Sequence, residues 1–200
     1  MQNILDIYET VKIDPQKTYI RSYPALVEHF KESHQKLSPA TLTVLIHTVY
    51  AWMPTILNIH ADDEQLSETC HILYQARHRI LDINELETLA SCTNNSMVGA
   101  SKLLHFFNPE LFPIWDSKVY RFIHKGTPKE SPHAYRVNNC RRYLEYQVHV
   151  LETSMDYRVP GLVRHISTLC GYPVSPVRAI EMTMFLLSEE GLDEPLVVVN

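Results

Sequence analysis

Apolar side chains recur every three or four residues along most of the chain, the spacing that lines one face of an α-helix. Ile4, Leu5, Tyr8 and Val11 make the first such group, and it stops before Asp14 and Pro15 because proline disfavours helical geometry in the residue before it. Ser38 and Pro39 pair an N-cap with a proline at the first helical position, so Leu42, Leu45, Ile46, Val49, Tyr50 and Met53 read as a helix running to Pro54. Asp62 and Asp63 open a third helix carrying Leu66, Cys70, Leu73, Tyr74, Arg77 and Ile80. Asp82 caps a fourth through Leu86, Leu89 and Ala90.

In the second half, Met97 to Phe107 reads as helix up to Asn108 and Pro109. The apolar run Leu111 to Trp115 leads to Asp116, which starts a helix with Val119, Tyr120, Phe122 and Ile123 inward. Residues 125–132, with a glycine, two prolines and mixed charge, read as an exposed loop. One long helix, Tyr135 to Thr153, then turns Val137, Cys140, Leu144, Val148 and Leu151 inward. Val159 to Cys170 ends at Gly171, and Ser175 with Pro176 repeats the cap-plus-proline start ahead of Ile180, Met184, Phe185, Leu186 and Leu187. The tail Leu196 to Val199 is apolar enough to pack as a strand or extended segment. About nine helices with short connections and no internal repeat predict an all-α protein. It would be a single compact domain over 1–200, in one or two lobes, with its core at about 82–155.

Composition agrees. Only 5 of the 200 residues are glycine against 12 prolines, a poor supply for β-turns and a good one for helix starts. A 45% hydrophobic fraction with 20% charged residues excludes a disordered tail, a collagen or a coiled-coil rod. Cys70, Cys92, Cys140 and Cys170 each stand more than twenty residues apart, so they read as structural thiols and no metal cluster is expected. The 11 histidines include no H-E-x-x-H, and His105 reads as a satisfied core histidine. No nucleophile elbow, Walker loop or dinucleotide fingerprint is present, so no cofactor is expected. Met1 to Val11 has neither a basic start nor an apolar run, and no stretch reaches the roughly 18 apolar residues of a membrane span. The expected setting is the cytoplasm, with no membrane partner.

The net charge of −5 argues against a polyanion partner until it is divided along the chain. Residues 97–142 hold eight basic side chains (Lys102, Lys118, Arg121, Lys125, Lys129, Arg136, Arg141, Arg142) against Glu110, Asp116 and Glu130, a local charge of +5 that leaves −10 for the rest. An acidic body with one basic face is the electrostatic footprint of a nucleic-acid partner. A run of solvated charges on helix surfaces would give the same count.

The same stretch has the most distinctive wording. Met97-Val98-Gly99-Ala100-Ser101-Lys102-Leu103-Leu104, then Leu111-Phe112-Pro113-Ile114-Trp115-Asp116-Ser117-Lys118-Val119-Tyr120-Arg121-Phe122-Ile123, resembles the core of the helix-hairpin-helix base-excision DNA glycosylase superfamily. The resemblance covers about residues 97–123, and Phe112-Pro113-Ile114-Trp115-Asp116 with Val119 and Arg121 is similar to the adenine-glycosylase version.

The resemblance implies an enzyme that binds duplex DNA and cuts N-glycosidic bonds. Asp116 would be the catalytic carboxylate beside the glycosidic bond, and Lys102 would bind phosphate or act as a Schiff-base amine. Gly99, Ala100 and Ser101 would turn backbone N–H groups towards a phosphate, with Lys118, Arg121 and Lys125 along the DNA backbone. Phe112 and Trp115 would line the base pocket. Met97 stands where the family has its first hairpin glycine, so the tight turn must be made otherwise or be absent. The residues also fit a non-enzymatic helical scaffold or protein-interaction module, in which Asp116 is only an N-cap and Arg178–Glu181 only an intrahelical ion pair.

Overall fold

The computed structural model describes residues 4–52, 57, 59, 61–127 and 130–190. Among them are ten α-helices and no strand: α1 (Thr18–Ser33), α2 (Pro39–Trp52), α3 (Asp63–Ala76), α4 (Ile83–Cys92), α5 (Met97–Phe107), α6 (Ser117–Ile123), α7 (Ala134–Val137), α8 (Cys140–Ser154), α9 (Val159–Cys170) and α10 (Pro176–Glu190). The protein is therefore all-α, as the periodicity predicts. Met53, Pro54, Lys129 and the apolar tail Leu196 to Val199 lie outside the described residues.

Caps explain most boundaries. Asp62 and Asp82 each close a reciprocal capping box, with Gln65 and Glu85. Gly171, at φ 80°, ends α9 in the left-handed region. Two expectations are corrected and one helix is added. The first group, Ile4 to Val11, forms two 3₁₀ turns rather than a helix. The 16-residue α1 follows instead, and its Pro24 disguised it in the sequence. The long helix expected over 135–153 is broken at Asn138 and Asn139, because Asn139 caps α8 by accepting from the Arg142 N–H.

Helix α5 is the centre of the molecule: every residue but Val98 and Lys102 is buried. It leaves α4 through a hairpin whose left-handed residues are Asn94 (φ 58°) and Asn95 (φ 51°), which make the turn that the missing glycine at Met97 cannot. Gly99 has a different duty. A Cβ there would meet the Tyr50 hydroxyl at 2.5 Å, and that hydroxyl is held by its bond to Thr93 O at 2.7 Å.

The segment from Leu111 to Trp115 crosses the core with no regular structure, and each of its carbonyls takes a donor from a helix. Gln147 Nε2 bonds Leu111 O (2.8 Å), His105 Nδ1 bonds Phe112 O (2.7 Å), and the Tyr143 hydroxyl bonds Pro113 O (3.3 Å). The Tyr146 hydroxyl bonds Ile114 O (3.0 Å), and Ser101 Oγ accepts from Trp115 N–H (3.1 Å) while its one proton is shared between Val98 O (3.0 Å) and Trp115 O (3.2 Å). His105 is thus a satisfied core histidine. Its Nδ1–H serves Phe112, which leaves Nε2 to accept from the Tyr23 hydroxyl at 2.8 Å.

Two outcomes follow. Gly99→Ala should lower the unfolding free energy in urea by about 1–2 kcal/mol despite the gain in helix propensity, and adding Tyr50→Phe should recover part of it. An unchanged midpoint would mean that Tyr50 is not held. For His105, burial first and Arg178 second hold the imidazole neutral, with its pKa pushed down to about 3 from 6.5. The folded chain therefore refuses a proton that the unfolded chain accepts, and this stability is lost as pH falls through that window. Against His105→Asn, which orphans the Tyr23 hydroxyl, wild type should lead by about 1–3 kcal/mol at about pH 8. That lead should shrink by about 1.4 kcal/mol per pH unit below 6.5. A constant lead down to about pH 4 would contradict the assignment.

Candidate functional site

Two hollows meet beside α5. The first, a cavity of about 310 Å³, is lined by Tyr19, Trp52, Lys102, Ile114, Asp116, Lys118, Arg178, Glu181, Met182 and Phe185. The second, an open and more polar cleft of about 570 Å³, runs past Ser96, Asn94 and Tyr50 at the hairpin to Ser117, Pro132 and Asn138. Lys102 and Asp116 line both.

Each contributor is placed by its element. Lys102 is one of the two residues of α5 that escape burial, and it does so into the hollows. Asp116 follows directly on the anchored Trp115, and its Oδ1 caps α6 by accepting from the N–H groups of Lys118 (2.9 Å) and Val119 (3.0 Å). Among the described residues no hydrogen bond engages Oδ2. Arg178, Glu181, Met182 and Phe185 recur at helical spacing on one face of α10. Tyr19 and Trp52 come from the start of α1 and the end of α2, and the Trp52 Nε1 is buried without a hydrogen-bond partner.

The electrostatics suit proton and charge handling. Removal from water pulls the Lys102 ammonium below its ordinary range, with Asp116 and Glu181 opposing. Burial lifts the Glu181 carboxyl to about 7 against the pull of Arg178, its buried partner. Arg178 stays a cation: burial opposes its charge most strongly, but Glu181, Tyr23 and Tyr172 together more than offset that cost, and its guanidinium lies 4.7 Å over the Tyr23 ring. The Lys118 ammonium sits 4.4 Å over the Phe185 ring.

The structure brings Asp116, Lys102 and Lys118 together and redistributes the other predicted residues. Gly99, Ala100 and Ser101 present no phosphate-binding backbone: they are buried inside α5, where Ser96 Oγ accepts from Gly99 N–H and Ser96 O accepts from Ala100 N–H. Ser101 serves Trp115 instead. Phe112 and Trp115 are 0% and 1% exposed, and the Trp115 Nε1–H donates to Val137 O, so neither lines the cavity with Asp116. Lys118 and Arg121 share an edge of α6, with exposed Lys125 just beyond it. The +5 segment is not one free basic face, because Arg142 and Arg136 are paired to Glu130 at 2.9 and 3.9 Å. The Tyr120 hydroxyl and Arg142 hold the Glu130 carboxyl down to about 2.

The aromatic walls, Tyr19, Trp52 and Phe185, lie far from the motif in sequence and carry no signal of their own. Arg178 and Glu181 did carry one: two opposite charges in an otherwise apolar helix. The ion pair is there at i,i+3, but its side chains are only 4% and 2% exposed. Among the described residues no group of His, Cys, Asp and Glu is arranged to hold a metal ion, and no helix is long and apolar enough to cross a membrane. Comparisons of the chain with known protein families, with curated proteins and with solved structures find no match in any of the three.

Proposed function

We propose that this protein binds DNA and cuts the N-glycosidic bond of an extruded nucleotide, with Asp116 and Lys102 at the reacting carbon. One observation carries the proposal: Lys102 and Asp116 stand on the wall common to an aromatic-lined cavity and an open polar cleft. A nucleotide flipped out of a duplex is divided in the same way, with a planar base on one side, a sugar phosphate on the other and the scissile bond between them.

With the base among Tyr19, Trp52 and Phe185 and the phosphate towards Ser96 and Asn138, C1′ of the sugar comes to the shared wall. As the C1′–N bond breaks, its electron pair leaves with the base and Asp116 Oδ2 faces the positive charge on the sugar. Water then forms the C1′–O bond, and its proton passes through Asp116 to the departing nitrogen. Lys102 lies on the same wall and offers a cation to the phosphate or, in its neutral form, an amine to C1′. Arg121 on α6 and exposed Lys125 just beyond it supply phosphate contacts.

A scaffold in which Asp116 is only a helix cap is favoured by a different observation, the two backbone N–H groups that Oδ1 already satisfies. Asp116→Asn separates the two, because asparagine caps about as well but lacks the charge. Base release from duplexes carrying damaged or mismatched bases should fall by about 100-fold or more while thermal stability stays within about 1 kcal/mol of wild type. Undiminished release would leave Asp116 as a cap. No release by wild type, with no duplex binding at low salt, would leave the scaffold.

A further inference from the structure

The α10 wall of the cavity is unusual in its polarity. Glu181 Oε2 accepts from Arg178 Nη1, the Arg178 Nε is buried without a partner, and no hydrogen bond engages Glu181 Oε1 among the described residues. Both side chains are almost wholly buried and both line the cavity. They are held from behind, since the guanidinium rests on the Tyr23 ring and the Tyr23 hydroxyl is tied to His105. Folding alone gives no reason for this, because well-packed apolar residues usually serve a core as well as a buried ion pair or better. The result is a donor-only group fixed beside an acceptor-only group, facing a space walled by Tyr19, Trp52 and Phe185.

We propose that Arg178 and Glu181 are the specificity-determining edge of the cavity, selecting a neutral planar heterocycle that carries a hydrogen-bond donor next to an acceptor. The donor would meet Glu181 Oε1 and the acceptor the free N–H of Arg178, while the ring stacks on the aromatic walls. A ligand without such an edge leaves the Arg178 Nε–H and Glu181 Oε1 without partners in a dry cavity, which is the kind of penalty by which polar sites reject apolar isosteres. Ligands of one charge are disfavoured as well, because Lys102, Lys118 and Arg178 share the lining with Asp116 and Glu181. The inference rests on the base-excision reading only for the source of the heterocycle, a nucleobase.

Calorimetry with free compounds on the full chain at about pH 8, where the Glu181 carboxyl is ionised, tests it without DNA or cleavage. Adenine and hypoxanthine present the donor and acceptor in opposite orders, and 4-methylindole copies the shape with a donor and no acceptor. At least one of the two bases should bind wild type about 10-fold or more tightly than the isostere. The double variant Arg178→Met with Glu181→Leu removes the pair together and should keep its fold. In it the ratio should fall to about 1. An isostere that binds wild type equally well, a folded double variant that keeps the discrimination, or no binding of any of the three at millimolar concentration would overturn the inference. Discrimination in calorimetry without base release from any duplex would keep the inference and overturn base excision.

Discussion

The segment from Leu111 to Trp115 has to cross the interior without a ladder of its own, and a buried carbonyl left without a donor costs about 1–3 kcal/mol. Five consecutive carbonyls are satisfied by side chains of only two helices: His105 and Ser101 from α5, and Tyr143, Tyr146 and Gln147 from α8. That requirement fixes the register of both helices against the segment. It also fixes where the chain emerges, at Asp116, beside Lys102, the residue that follows Ser101 on the central helix. The site is accurate because its carboxylate is the first residue after an anchored segment.

The same economy explains why the cavity opens where it does. Helix α5 spends nearly its whole surface on the core and releases Lys102 into the space that α10 leaves beside α6. Enclosure then shifts the groups it surrounds: it draws Lys102 towards its neutral form and lifts the Glu181 carboxyl to about 7, while Asp116 keeps one oxygen clear of its helix cap. Groups prepared in this way, at the junction of an aromatic hollow and a polar cleft, suit a ligand with a planar head and a charged tail.

Much of the fold was legible because helix starts carry their own chemistry: Asp62, Asp82, Asp116 and Ser175 all open helices where the sequence put them. What stayed hidden involved tertiary decisions. Pro24 concealed α1, whose packing outweighs the lost hydrogen bond, and Asn94 with Asn95 made a turn that the glycine pattern located elsewhere. Asp116 and Lys102 were legible as a pair through a 27-residue wording, whereas Ser101, Phe112 and Trp115 in the same wording turned out to hold the backbone and fill the core. Tyr19, Trp52 and Phe185 could not be found in advance, since nothing along the chain says that the ends of α1 and α2 meet the middle of α10.

The most direct test of the site is a structure of the protein with a duplex whose target nucleotide carries a 2′-fluorine, which slows loss of the base by opposing positive charge on the sugar. The result expected is a base turned out of the stack between Trp52 and Phe185, with C1′ beside Asp116 Oδ2 and the flanking phosphates in the cleft at Ser96. A duplex bound on another face, or a target base still stacked with the cavity empty, would contradict it.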